Sequence, residues 1–140
     1  MKEKILSTLE ELGFKPEPAE ELGYFFSFEG LNYLFFNNND DEDFLSIALP
    51  GVIEKDDVGQ EVLTLLTERI NSTIKYVKAY CPNDSIWIFY ERELLGNENI
   101  EELLPRMIMC LENAYIFTRT TMNELTGGSD NGDDGDENND

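Results

Sequence analysis

The segment from Asp57 to Arg92, DVGQEVLTLLTERINSTIKYVKAYCPNDSIWIFYER, constrains the fold more than any other. Its first half repeats apolar residues at helical spacing, with Val58, Val62, Leu65, Leu66 and Ile70 on one stripe. Asp57 and Gln60 stand three apart in the capping-box pattern, so a helix is expected to start at Asp57 and end near Asn71. The period then changes to two. Lys75–Cys81 alternates, Asn83-Asp84 supplies a turn, and Ile86–Arg92 returns. An even loop pairs Cys81 with Ile86, Ala79 with Ile88 and Val77 with Tyr90 on one face. Tyr80 with Trp87, Lys78 with Phe89 and Tyr76 with Glu91 fall on the other.

A helix followed by a hairpin needs more sheet to lie on, and GYFFSFEGLNYLFF (residues 23–36) provides it. A turn at Glu29-Gly30 pairs Phe28 with Leu31, Phe26 with Tyr33 and Tyr24 with Phe35. Phe25, Ser27, Asn32, Leu34 and Phe36 then occupy the opposite side. After a polar loop, Asn37–Asp43, FLSIALP forms a third strand that Pro50-Gly51 closes. Leu45, Ile47 and Leu49 join the first face, and Phe44, Ser46 and Ala48 the second.

Both ends read as helices. Lys2–Leu12 carries Ile5, Leu6, Leu9 and Leu12 on one stripe, and Gly13 stops it, with Phe14 placed to fold back over the last turn. Near the other end Asn99 and Glu102 form a second capping box. Ile100, Leu103, Leu104, Met107, Ile108, Leu111 and Tyr115 recur at helical spacing to about Glu124. Pro105 predicts a kink or a late start. From Gly127 onward no residue is apolar, so 127–140 is expected to be a disordered acidic tail behind a single domain, residues 1–126.

Composition narrows the function. Thirty Asp/Glu against ten Lys/Arg give a net charge of −20, which repels phosphate backbones and anionic lipid. No nucleic-acid partner and no membrane attachment are expected. The lack of any histidine removes the usual general base and the commonest metal ligand. No phosphate loop, C-x-x-C or nucleophile elbow occurs, so no catalytic, cofactor or metal site is assigned and the chain is read as non-enzymatic. The acidic clusters lack the register of a calcium loop. Cys81 and Cys110 sit among apolar neighbours and read as buried, reduced thiols, and with no signal-peptide run the expected location is cytoplasmic.

ELGFKPE, the FSFEGL hairpin, LSIALP, ERINSTIKYVKAY and the following SIWIFY together resemble the YbjN-like group. That group is classed with bacterial sensory-transduction regulators and is similar in fold to the type III secretion chaperones. The resemblance spans about residues 1–125. It implies an α+β two-layer sandwich, α-β-β-β-α-β-β-α, with an antiparallel five-stranded sheet and helices mainly on one face. It also implies a homodimer that works through protein–protein contact, and it offers no catalytic motif to carry over.

If all the helices cover one face, the other presents Phe25, Leu34, Phe36, Phe44, Tyr76, Tyr80, Trp87 and Phe89. An apolar patch of this size normally marks an interface, and aromatics suit one. These eight are the candidate protein-binding residues, for a second copy or an unknown protein client. The competing reading has a helix or loop folded across them. Asn71 reads as structural, steering the chain from its helix into the next strand. A small-molecule or metal-responsive signalling regulator is the alternative function, and it needs a pocket with convergent polar groups.

Overall fold

The computed structural model describes residues 1–36 and 43–127. The predicted polar loop and acidic tail therefore lie outside the described residues, apart from Asp43 and Gly127. The elements are α1 (Lys2–Glu11), β1 (Glu17–Ala19), β2 (Gly23–Phe28), β3 (Leu31–Phe36), β4 (Phe44–Glu54), α2 (Lys55–Val58), α3 (Gln60–Thr73), β5 (Val77–Tyr80), β6 (Ser85–Glu93) and α4 (Ile100–Leu125). They build one antiparallel sheet in the order β1-β2-β3-β4-β6-β5.

Among the described residues six strands replace the expected five, because β1 pairs with β2, Glu17 opposite Phe25 and Ala19 opposite Gly23. Pro16 and Pro18 bar helix from this segment, but they do not bar a strand. Proline is compatible with an outermost strand, where one side of the backbone has no ladder to feed. The first hairpin forms as the alternation requires: Phe28 faces Leu31, Phe26 faces Tyr33 and Tyr24 faces Phe35. Glu29 and Gly30 both have positive φ, 54° and 80°, which is the hand that matches strand twist in a two-residue turn.

Pro50-Gly51 does not close the third predicted strand. Instead β4 runs on to Glu54 through a register shift between Leu49 and Ile53, an irregularity that accommodates the proline and a Gly51 at φ 59°. Asp57 is likewise no helix cap. A single turn, α2, comes first, and the break falls on Gly59 at φ 88°, a backbone angle that glycine takes without strain. Starting at Gln60 rotates α3 so that Leu63, Leu66 and Ile70 are buried, while Leu65 is 44% exposed. At the last helix Asn99 Oδ1 accepts the Glu102 N–H at 3.3 Å, and the helix starts before Pro105 and runs through it.

A single core lies between the sheet and the helices. Ile5 and Leu9 of α1, Leu63, Leu66 and Ile70 of α3, and Leu104, Met107, Ile108 and Leu111 of α4 pack on Phe26, Tyr33, Phe35, Ile47, Leu49, Val77, Ala79, Ile86 and Ile88. Every one of those strand residues belongs to the face assigned to the helices by alternation. Leu34, Ala48 and Phe89 are also buried but stand outside this cluster, on the reverse side. Phe14 turns back from the end of α1, its N–H bonded to the Leu9 carbonyl at 2.9 Å, and its ring meets Phe26 and Phe28 at 5.2 and 5.5 Å.

Candidate protein-contact surface

Register fixes what the reverse side of the sheet displays. Phe25 faces Leu34, Leu34 faces Ala48, Ala48 faces Phe89 and Phe89 faces Lys78, a row that crosses five strands. Beside it Ser46 faces Glu91, Phe44 faces Glu93 and Tyr80 faces Trp87. Beyond Phe44, central strand β4 offers two small side chains on this face, Ser46 and Ala48. The result is a shallow open concavity of about 420 Å³, walled by Phe36, Phe44, Tyr80, Trp87 and Phe89 and floored in part by Ser46.

Its rings are aligned. Phe89 stacks on Tyr80 at 4.8 Å and 7°, on Phe36 at 5.9 Å and 20°, and on Trp87 at 6.0 Å and 22°. Pairs at such spacing each contribute about 0.5–1.5 kcal/mol beyond their buried area. Phe89 at the centre is therefore nearly sealed, at 4% exposure, while Tyr80 at the rim is 47% exposed. Polar groups cross the same strands. Glu91 Oε1 lies 2.7 Å from Lys78 Nζ, and its Oε2 accepts the Ser46 hydroxyl at 2.9 Å. The hydrogen bond to Glu91 holds the Lys78 ammonium above its ordinary pKa.

Seven of the eight predicted residues share this face, at three depths. Leu34 and Phe89 are buried, Phe36, Phe44 and Trp87 are half-buried, and Phe25 and Tyr80 are exposed. Tyr76 departs from its expected position. Its φ is 73°, it precedes β5 rather than pairing with Glu91, and its ring stacks at 5.8 Å on Tyr90, which belongs to the helix side. A positive φ breaks the strand alternation, so parity counted through Tyr76 gives the wrong side. Ser46, Lys78 and Glu91 were assigned to this face by alternation but not to the site. The signal available was the run of small residues on β4 opposite a Lys–Glu diagonal.

The sheet's two edges are poor docking points by comparison. Asn71 of α3 donates from Nδ2 to the Ala79 carbonyl at 2.9 Å and accepts the Ala79 N–H on Oδ1 at 2.8 Å. One amide thus occupies both free backbone groups of that residue on edge strand β5, the steering role expected for it. At the far edge β1 is three residues long and contains Pro18.

One antiparallel sheet with its helices on one side defines the secretion-chaperone-like α+β class, and the fold is YbjN-like, as the sequence resemblance implies. No family model matches the chain, and no curated protein matches it in sequence. Among solved structures it is similar to an uncharacterized protein from Methanothermobacter thermautotrophicus, with a TM-score of 0.62 and 16% identity over 89% of this chain and 97% of that one. A chain of the ExsC–ExsE complex matches with a TM-score of 0.61 and 12% identity, over 84% of this chain and 90% of that one. The E. coli protein YbjN, a candidate transcription regulator, matches at 0.57 and 11%, over 87% and 92%. Among the described residues, no helix is long and apolar enough to cross a membrane.

Proposed function

We propose that this protein is a non-enzymatic protein-binding scaffold, chaperone-like or regulatory, that acts in the cytoplasm as a homodimer. Its contact surface is the aromatic side of the sheet. The observation that carries this reading is the ring cluster of Phe36, Tyr80, Trp87 and Phe89, set in a concavity on the side opposite the helix-packed core. Similarity in fold to a chain from a two-protein complex adds support. Sedimentation of the wild type and of Trp87→Asp tests it. The wild type is expected as a dimer, and the variant as a folded chain with weakened association. Monomers in both samples would remove the dimer claim.

A second reading has one observation in its favour. Beside the β4 irregularity, a cleft of about 440 Å³ is lined by Glu54, Asp57, Arg119 and Asn123, and Asn123 Oδ1 is buried without a hydrogen-bond partner among the described residues. A small-molecule-responsive regulator would use such a cleft. Thermal shifts against a metabolite panel discriminate, since a ligand of the native state raises the melting point. A rise that Asn123→Ala abolishes would favour this reading.

A further inference from the structure

A cation flanks the concavity on the aromatic face, against two of its lining residues, Tyr80 and Glu91. Lys78 Nζ lies 2.7 Å from Glu91 Oε1 and 5.9 Å from the centre of the Tyr80 ring, so a carboxylate and a ring face converge on one ammonium. That ammonium is the chain's own and is loosely held. The Lys78 side chain is 58% exposed, and an ion pair this open to water is weak. Around it the charge balance favours another cation. Glu93 stands beside Phe44 on the same face, whereas Arg92 lies opposite Leu45 on the helix side and is paired with Glu98 at 2.7 Å. The whole chain carries −20.

We propose that the concavity receives an arginine side chain from an extended, otherwise apolar segment of a partner protein, the guanidinium displacing Lys78 from between Tyr80 and Glu91. This deepens the protein-binding reading and rests on it. Arginine fits better than lysine because its planar head can stack on the Tyr80 ring while donating two hydrogen bonds to the Glu91 carboxylate. Apolar residues flanking that arginine would lie against Phe36, Phe44 and Trp87. Long-range attraction to an acidic chain would speed the encounter.

Trp87 is the chain's one tryptophan and lines the concavity, so its emission reports occupancy directly. The full chain is titrated with a synthetic peptide of alternating arginine and leucine, and with versions carrying citrulline or glutamate in place of arginine. The arginine peptide is expected to shift Trp87 emission saturably, the citrulline peptide to bind at least tenfold more weakly, and the glutamate peptide not at all. Glu91→Gln, checked for unchanged far-ultraviolet dichroism, is expected to weaken the arginine peptide about tenfold. Lys78→Met is expected to tighten it severalfold, because no resident cation then has to leave.

Weakened or unchanged binding in Lys78→Met overturns the displacement. Equal binding of the arginine and citrulline peptides overturns the cation seat and leaves the aromatic contact surface standing. Binding that leaves Trp87 emission unmoved and ignores Glu91→Gln places the peptide elsewhere and overturns the inference. Because the proposed self-association also uses Trp87, the peptide is expected to compete with it, and self-association that Glu91→Gln weakens as much as it weakens the peptide would make a second copy the occupant and overturn the inference. If no peptide moves Trp87 and Trp87→Asp sediments as the wild type does, the wider reading falls too.

Discussion

The two sides of this sheet are written in the same strands by alternate residues, yet they solve different problems. On the helix side Ile47, Ile86 and Ile88 are sealed under α3 and α4, and packing with many partners fixes each in place. On the other side Phe89 is sealed mainly by stacked rings, and those rings stand partly in water at the rim. Burial that depends on helices belongs to folding. Burial among half-exposed rings leaves apolar surface over for a second molecule. On the proposed reading, the adjacent residues Trp87 and Ile88 mark the boundary between stability and recognition.

The sharpest way to break this contrast is a paired truncation. Ile88→Ala should cost about 3 kcal/mol in urea denaturation, as cavities in a sealed core do, and Trp87→Ala about 1 kcal/mol, the worth of one stacked pair. Association should respond in the opposite order, with Trp87→Ala losing more. Comparable stability losses would mean that the aromatic side is ordinary core.

Next in size is Asn71→Ala, expected to cost about 2 kcal/mol, since two hydrogen bonds go and the Ala79 backbone on β5 is left open. Light scattering should show more aggregation than for Trp87→Ala, because an opened strand edge pairs indiscriminately.

Alternation made most of this legible from the residues. The pairing of Tyr24–Phe28 with Leu31–Phe35, the Ala79–Ile88 register and the side taken by Trp87 all follow from period two plus a short turn. What escaped did so where backbone geometry overrides side-chain pattern. At Gly59 a positive φ moved the start of α3 and swapped Leu63 for Leu65, and at Tyr76 another sent a ring to the wrong side. β1 was hidden by Pro18 and the adjacent Pro16, and the continuation of β4 by Pro50-Gly51. The concavity itself depends on Ser46 and Ala48 being small between large neighbours, a three-strand property that no single segment displays.

Tyr33 offers a finer comparison, within the helix side. It is buried against Phe26, its hydroxyl has no hydrogen-bond partner among the described residues, and burial, helped by the charges of Glu112 and Glu29, holds its pKa far above 10. Folding thus keeps Tyr33 protonated where the unfolded chain ionises. Its contribution is intact below pH 10 and is lost as pH rises further, by up to about 1.4 kcal/mol per pH unit. Tyr33→Phe should raise stability at pH 7 by about 1 kcal/mol and flatten the alkaline fall, as followed by urea midpoints between pH 8 and pH 11. Smallest of all, Lys78→Met should change stability by no more than about 0.5 kcal/mol, because the pair with Glu91 is open to solvent.

Hydroxyl-radical footprinting of the free chain and of the complex recovered from its own cells would weigh the two sides of the molecule against each other. Trp87, Tyr80 and Phe44 are expected to become protected in the complex, while Met109 and Ile116, exposed on α4, stay as reactive as in the free chain. Protection of Met109 and Ile116 with Trp87 and Tyr80 unchanged would contradict the account and move the contact surface to the helices.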